Sequence, residues 1–286
     1  MAGSPNGGTT AGQRGSVTVI RGAGITTGDV KVPTELIVML LVVALVAGWV
    51  DAVVGGGGLV QLPALLLAMP SAPPTAVLAT DKLSSIAGTT ASAAAFARRL
   101  RVDARLAVPA GLLAIALSAA GAVAASRVPA SAFRPLVMAT LLAVALLVVL
   151  RPRLGLRKRP LPRSAAATVS AVVLAGVVLP FYNGLAGPGT GALILMVLTG
   201  LRGLDFLTSS ATAKIINVGA NLGALITYAL HGEVFWLLGL GMAVCNTLGA
   251  RLGTRTALRR GAGFIRATLL CVIAALTVKL SVDYLA

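Results

Sequence analysis

Residues 51–63 read DAVVGGGGLVQLP, and residues 183–191 read NGLAGPGTG. The first stretch sits inside an apolar run that begins near Leu36. Glycine inside a helix costs roughly 1 kcal/mol relative to alanine, so four in succession end the helix. Backbone groups freed at bilayer depth must find partners in protein or face a watery cavity. The second stretch echoes the first at a fixed offset of 132 residues: Asp51 with Asn183, Gly55 with Gly187, Gly57 with Gly189. Further along, ATDK (Ala79–Lys82) returns as ATAK (Ala211–Lys214) at the same offset. Two features sharing one offset mark an internal duplication.

Only 11% of the 286 residues are charged and 57% are hydrophobic. Soluble domains carry about 25% charged residues, so this is a membrane protein. Apolar runs near 20 residues point to helices rather than a barrel of short alternating strands. The net charge of +16 would suit a nucleic-acid binder only with clustered, exposed aromatics. Aromatics are 4% here and the arginines punctuate apolar runs, so the charge belongs to basic loops. Cys245 and Cys271 lie in apolar segments without partner spacing and read as buried thiols. His231 stands in a short polar break, with no metal or catalytic constellation around it. No cofactor or metal is called for.

In chain order, residues 1–33 are rich in Gly, Ser and Thr and read as a disordered tail. The first transmembrane repeat is placed at 34–150, a basic cytoplasmic linker at 151–164, and the second repeat at 165–286. The 11 residues Leu59–Met69 reach only about 16 Å as a helix, too short for a ~30 Å hydrocarbon core, and read as a half-helix. Spans are expected at 36–54, 75–97, 106–126 and 136–150, then 204–230, 234–250 and 267–285, with 165–179 and the short arm 192–198 flanking the second break. Three connections are strongly basic: 98–105, 151–163 and 251–266. Placing all three inside makes each glycine-broken element a hairpin that enters and returns. The expected fold is thus all-α and polytopic, with about eight hydrophobic segments. It has two inverted repeats, each a re-entrant hairpin plus three transmembrane helices. Many secondary transporters share this plan, with sites at broken helices near the midplane.

Lys82 and Lys214, two of only five lysines, occupy matched places in apolar helices. A lysine at bilayer depth costs at least about 2.5–3.5 kcal/mol on insertion scales. Snorkelling to the interface is one account. A structural ion pair with Asp51 or Asp81 is another, and contact with an anion is a third. Each break precedes a short helix whose N-terminus carries about half a positive charge and bare N–H groups. Gly57, Gly58, Gly189 and Thr190 would bring those amides to a ligand, although glycine also serves close helix packing. Thr80, Thr212, Asn183, Asn217, Asn221 and Asn246 are polar groups able to orient an oxyanion. Asn217 and Asn221 share the Lys214 face at i+3 and i+7, and a membrane asparagine equally serves helix–helix hydrogen bonding. Asp51 is the carboxylate at a break, available to carry a coupling proton or to pair with a lysine.

The segments AGWVDAVVGGGGLVQLPALL (47–66), ATDKLSS (79–85), PFYNGLAGPGTG (180–191), ATAKIINVGAN (211–221) and NTLGARLGTRTALRRG (246–261) together resemble the TauE/SafE sulfite exporter family, also called TSUP. The resemblance covers about residues 35–285. It implies a multi-pass permease or exporter of the cell membrane for small sulfur-containing anions such as sulfite, thiosulfate or organosulfonates, and not an enzyme. Many members carry Asp where this chain has Asn183. Two alternatives use the same electropositive pocket: an anion channel, and a membrane-embedded enzyme acting on a phosphate-bearing lipid. The expected partners are the anion and the bilayer, without nucleic acid, and a homodimer is kept open beside a monomer.

Overall fold

A computed structural model describes residues 18–20, 24–27, 30–100, 102, 104–129, 131–133, 135–137, 139–140, 165–231 and 234–285. The expected span 136–150 and the linker 151–164 lie mostly or wholly outside these residues.

The first half contains α1 (Thr34–Val54), α2 (Gly57–Ala68), α3 (Pro74–Ala97) and α4 (Ala104–Ser126). The second contains α5 (Ala165–Val173), which runs through a π-helical turn (Leu174–Val178) into α6 (Leu179–Leu185), then α7 (Thr190–Arg202), α8 (Phe206–Leu230) and α9 (Trp236–Leu285). Among the described residues, four stretches are long and apolar enough to cross a membrane: Thr34–Val54, Ala104–Ser126, Ala166–Leu185 and Phe206–Leu230. With 12 and 13 residues, α2 and α7 reach only about 18–20 Å at 1.5 Å per residue.

The boundaries follow from local chemistry. A left-handed Gly55 (φ 78°) stops α1, its N–H donating to Asp51 O at 2.8 Å. Pro74 starts α3 at a position where a missing N–H costs nothing. Asp205 caps α8, accepting from Thr208 N at 2.9 Å. Left-handed Gly203 closes α7.

Three expectations are corrected. The tail was expected to lack regular structure, yet its described part forms a small antiparallel sheet of β1 (Thr18–Ile20), β2 (Gly24–Thr27) and β3 (Val30–Pro33). The β-branched Thr, Val and Ile of these segments favour strands. The basic stretch 251–266 is not a loop: α9 continues through Arg251, Arg255 and Arg259 and breaks only at Gly261 (φ 71°, ψ −168°). Arginine is a good helix former, so charge alone did not end the helix. Of the cysteines read as buried, Cys245 is only partly covered and Cys271 is exposed. Both sit on the apolar outside of α9.

Packing repeats at the same offset of 132. α1 lies along α9, and α5–α6 lie along α4, while α3 and α8 meet in the middle. Gly253 of α9 sits against the Trp49 carbonyl of α1; Gly121 of α4 sits against the Phe181 carbonyl of α6. These are the same contact with the halves exchanged, since 49 + 132 = 181 and 121 + 132 = 253. The contacts also have a direction. Leu83, Gly88 and Ser92 of α3 meet Gly239, Asn246 and Thr254 of α9 in that order. Gly111 and Ile115 of α4 meet Gly219 and Gly223 of α8. Numbers rise together in both pairs, so each pair is parallel.

Large apolar side chains such as Val42, Leu112, Val169 and Val244 are exposed on the outer helices, whereas Asp51, Asp81, Lys82, Lys214 and Asn183 are buried. A water-soluble protein has the opposite arrangement.

Candidate functional site

The two glycine breaks meet at the centre. Ala192 N donates to Gly55 O at 2.9 Å. Gly55 and Gly191 lie so close that a side chain on either would strike the other's backbone. Close packing thus explains part of the glycine content, as it does at Gly57, where a Cβ would meet Asp51 and the Ala47 carbonyl.

What remains around the crossing is a small cavity lined by residues of both halves: Asp51, Gly55 and Gly58 from the first break, Asp81, Lys82, Ser85 and Thr89 from α3, Asn183, Gly187 and Gly189–Gly191 from the second break, and Asn217 and Asn221 from α8. Its free space is about 20 Å³, enough for about one water. A guest larger than that requires the walls to part.

The lysines cross over between halves. Lys82 Nζ donates to Asn183 Oδ1 at 3.1 Å. Lys214 Nζ donates to Asp51 Oδ2 at 2.7 Å and to the Asp51 carbonyl. Each ammonium rests on the residue that opens the other half's break. The next layer repeats too: Thr89 Oγ1 donates to Asp51 Oδ2 at 3.2 Å, and Asn183 Nδ2 donates to Asn221 Oδ1 at 3.2 Å. Thr89 and Asn221 are again 132 apart. Gly187 (φ 85°) must be glycine twice over, because its backbone is left-handed and the Lys82 ammonium stands where a Cβ would project.

Of the residues singled out from sequence, Lys82, Asp51, Gly58, Asn183, Gly189, Thr190, Asn217 and Asn221 lie on the cavity wall. Lys214 stands behind Asp51. Four are elsewhere. Asn246 Nδ2 donates to Gln61 Oε1 at 3.0 Å. Gly57 packs on α1. The Thr80 hydroxyl donates to Ala76 O (2.8 Å) and accepts from Phe235 N (3.2 Å), tying α3 to the start of α9. The Thr212 hydroxyl donates to Thr208 O at 2.9 Å on its own helix. Threonine in a helix commonly bonds back to i−4, which removes it from ligand duty. Ser85, Thr89 and Asp81 were overlooked as site residues. The offset could have found two of them, because subtracting 132 from Asn217 and Asn221 gives Ser85 and Thr89.

Several wall groups suit an anion. The Ser85 hydroxyl lies on the wall, whereas that of Thr190 donates its hydrogen to Gly187 O at 3.0 Å. Among the first amides of α7, Ala192 N bonds Gly55 O and Leu193 N bonds Gly189 O (3.1 Å). Those of Thr190 and Gly191 front the cavity without a backbone acceptor among the described residues. Asn217 Oδ1 is buried with no partner; turned about its amide axis, the same position offers an NH₂ donor. No cluster of His, Cys, Asp or Glu that could hold a metal ion occurs among the described residues.

At one end of the bundle, Arg98 and Arg99 at the end of α3 and Arg251, Arg255 and Arg259 of α9 surround a recess of about 650 Å³. Two of the three basic stretches therefore converge.

Comparison with known proteins places these features in context. The family model described as "Sulfite exporter TauE/SafE" matches residues 40–280. A "Probable membrane transporter protein ORF9" of Sinorhizobium sp is 34% identical over 250 residues, covering 87% of this chain and 94% of that protein. The "Probable membrane transporter protein YfcA" of Escherichia coli (strain K12) is 32% identical over 251 residues, covering 87% of this chain and 90% of that protein. A "Probable membrane transporter protein" of Haemophilus influenzae is 29% identical over 249 residues, covering 87% and 96%. No solved structure matches the chain.

Proposed function

As a member of the sulfite exporter TauE/SafE family the chain is a membrane transporter protein, and from that premise we propose that it is a multi-pass secondary transporter of the cell membrane that moves a small sulfur-containing anion such as sulfite, thiosulfate or an organosulfonate. The observation that carries this reading is the crossed lysine pair around the buried cavity at the two breaks. Two cations at bilayer depth are expensive, and the cavity adds helix N-terminal amides, a hydroxyl and side-chain amides. That set matches the needs of a compact oxyanion.

The proposed mechanism uses two inverted repeats that rock about the cavity. The helix directions support inversion. Six residues separate α3 from α4, a reach of about 25 Å at most, less than the ~30 Å hydrocarbon core. α4 therefore starts on the side where α3 ended and runs back. Because α9 parallels α3 and α8 parallels α4, the matched helices α3 and α8 run in opposite senses. The short α2 and α7, each entered through a break, suit re-entrant arms. On opening to one side, the anion would take the donors that now face Asp51 and Asn183, with Lys82 and Lys214 supplying charge. The small volume would then correspond to the empty carrier between two open forms.

The test is flux into proteoliposomes of radiolabelled sulfite, thiosulfate and sulfoacetate. A hydrogen bond to a charged group is worth about 1.5–3 kcal/mol. Lys82→Ala is therefore expected to weaken anion affinity roughly ten- to a hundredfold while the protein still inserts. Wild-type flux of all three anions at the background rate, or unchanged flux in Lys82→Ala, rejects the site.

A further inference from the structure

The two halves of the site differ in one connected respect. Asp81 is matched by Ala213, Gln61 by Leu193, Ser84 by Ile216 and Asn246 by Ala114. These four polar residues, three from the first half and Asn246 from the α9 packed beside it, are all buried and form one network. Ser84 Oγ and Asn246 Nδ2 donate to Gln61 Oε1 at 3.2 and 3.0 Å. With its oxygen so occupied, Gln61 can only present its NH₂, and Nε2 donates to Asp81 Oδ1 at 2.9 Å. The duplication did not need this network, since the other half does without it. Its products are a fixed amide and a second carboxyl on the cavity wall.

The two carboxyls are held differently. Asp51 Oδ2 receives the Lys214 ammonium at 2.7 Å and the Thr89 hydroxyl. Asp81 Oδ2 has Lys82 Nζ at 3.9 Å, beyond hydrogen-bond range, and among the described residues Oδ1 receives only the neutral Gln61 amide. Among the described residues, the titratable groups in and behind the cavity wall are few. α1 gives Asp51, α3 gives Asp81 and Lys82, and α8 gives Lys214. The phenols of Tyr182 on α6 and Tyr228 on α8 donate to the carbonyls of Pro188 and Gly184. α2, α7 and α9 present the neutral Gln61, Thr190 and Asn246. Two lysines and two aspartates sum to zero.

A neutral buried site that admits an anion is left with an unbalanced charge, which a low-dielectric interior strongly disfavours. One proton restores neutrality. Asp51 is the poorer acceptor, because its proton would displace an ammonium at hydrogen-bond distance. Protonating Asp81 breaks no ionic hydrogen bond and frees Lys82 from the carboxylate beside it. We propose that Asp81 is the group that takes up a proton when the anion binds, so that the protein carries one proton with each negative charge. This inference rests on the transport reading above and adds the coupling ion and its carrier.

The experiment measures protons taken up per anion bound, by calorimetry of the purified protein at pH 7 in buffers of different ionisation enthalpy. The probe is methanesulfonate, which keeps a single negative charge throughout, with thiosulfate as a second probe. Wild type should take up about one proton per methanesulfonate. In Asp81→Asn the ratio should fall to near zero. Gln61→Leu keeps the carboxyl but removes its donor, so half-maximal proton uptake should move to higher pH. In liposomes, an inward proton gradient should concentrate the anion through wild type and not through Asp81→Asn. Proton uptake that persists in Asp81→Asn, or that stays at the wild-type pH in Gln61→Leu, overturns the assignment. Wild type that binds and exchanges the anion without taking up a proton ends the coupling inference and leaves transport standing. Wild type that neither binds nor exchanges either probe removes both.

Discussion

At the scale of single residues, the site is built from substitutions within a duplicated pattern. Lys214 and Asp51 are a buried ion pair, with side chains 2% and 13% exposed. Removing one partner of such a pair typically costs about 3–5 kcal/mol, because the other charge stays buried. Asp51→Asn and Lys214→Met should therefore each lower the apparent unfolding temperature in detergent strongly, and the double variant should recover much of that loss. Additive losses would mean that the two side chains do not act as a pair. The matched contact, Lys82 on Asn183, lacks the carboxylate and leaves Lys82 better able to receive a charge from outside. Much of this was legible in sequence. The repeat offset picked out Lys82, Lys214 and the two breaks, and applied further it would have supplied Ser85 and Thr89. Asp81 was not legible as a wall residue, because nothing in ATDK distinguishes a carboxyl facing the cavity from one paired elsewhere. Thr80 and Thr212 misled for a physical reason: repetition marks positions shared by both halves, but a shared threonine can serve its own helix as well as a ligand.

At the scale of elements, glycine does two jobs that sequence cannot separate. At Gly55 and Gly187 it supplies a left-handed turn. At Gly121 and Gly253 it lets one helix lie on another's backbone. Overpacking a tight contact costs about 1–3 kcal/mol. Gly253→Val and Gly121→Val should destabilise by similar amounts, because they disturb the same contact in the two halves. Gly58→Ala meets Pro188 only at an ordinary 3.5 Å and should unfold near the wild-type temperature. Thermal unfolding of the three purified variants reads this directly. A large loss for Gly58→Ala together with none for Gly121→Val would contradict the packing described. Helix ends were less legible than breaks. The arginines after Ala250 looked like a loop, but they lie in a helix whose break comes only at Gly261.

At the scale of the whole molecule, the arginine recess joins Arg98 and Arg99 to Arg251, Arg255 and Arg259. Stretches about 150 residues apart in sequence thus come to one end of the bundle, the end that charge bias assigns to the cytoplasm. Single cysteines at Arg98 and Arg259, in a background lacking Cys245 and Cys271, should react with an impermeant maleimide in inverted vesicles and not in intact cells. A cysteine at His231 should show the reverse. Labelling of positions 98 and 259 from opposite sides would dismantle the mirrored arrangement. The duplication and the helical character were visible in the sequence because they rest on composition and spacing. The reciprocal docking of α1 on α9 and α6 on α4 was not, because it depends on which apolar face meets which, and apolar faces here are made of interchangeable Ala, Leu, Val and Gly.

The crossed lysines have an evolutionary corollary. Each half lends its ammonium to its sibling's turn, so neither half is self-sufficient. On the inverted arrangement proposed above, a half-length ancestor would have needed to settle in the bilayer both ways up and pair with its own upside-down twin, donating and receiving the same group. Fusion removed the need for sameness. Asp51 beside Asn183, and Asp81 opposite Ala213, are differences that only a joined pair can keep, since in an ancestral dimer each would have appeared twice.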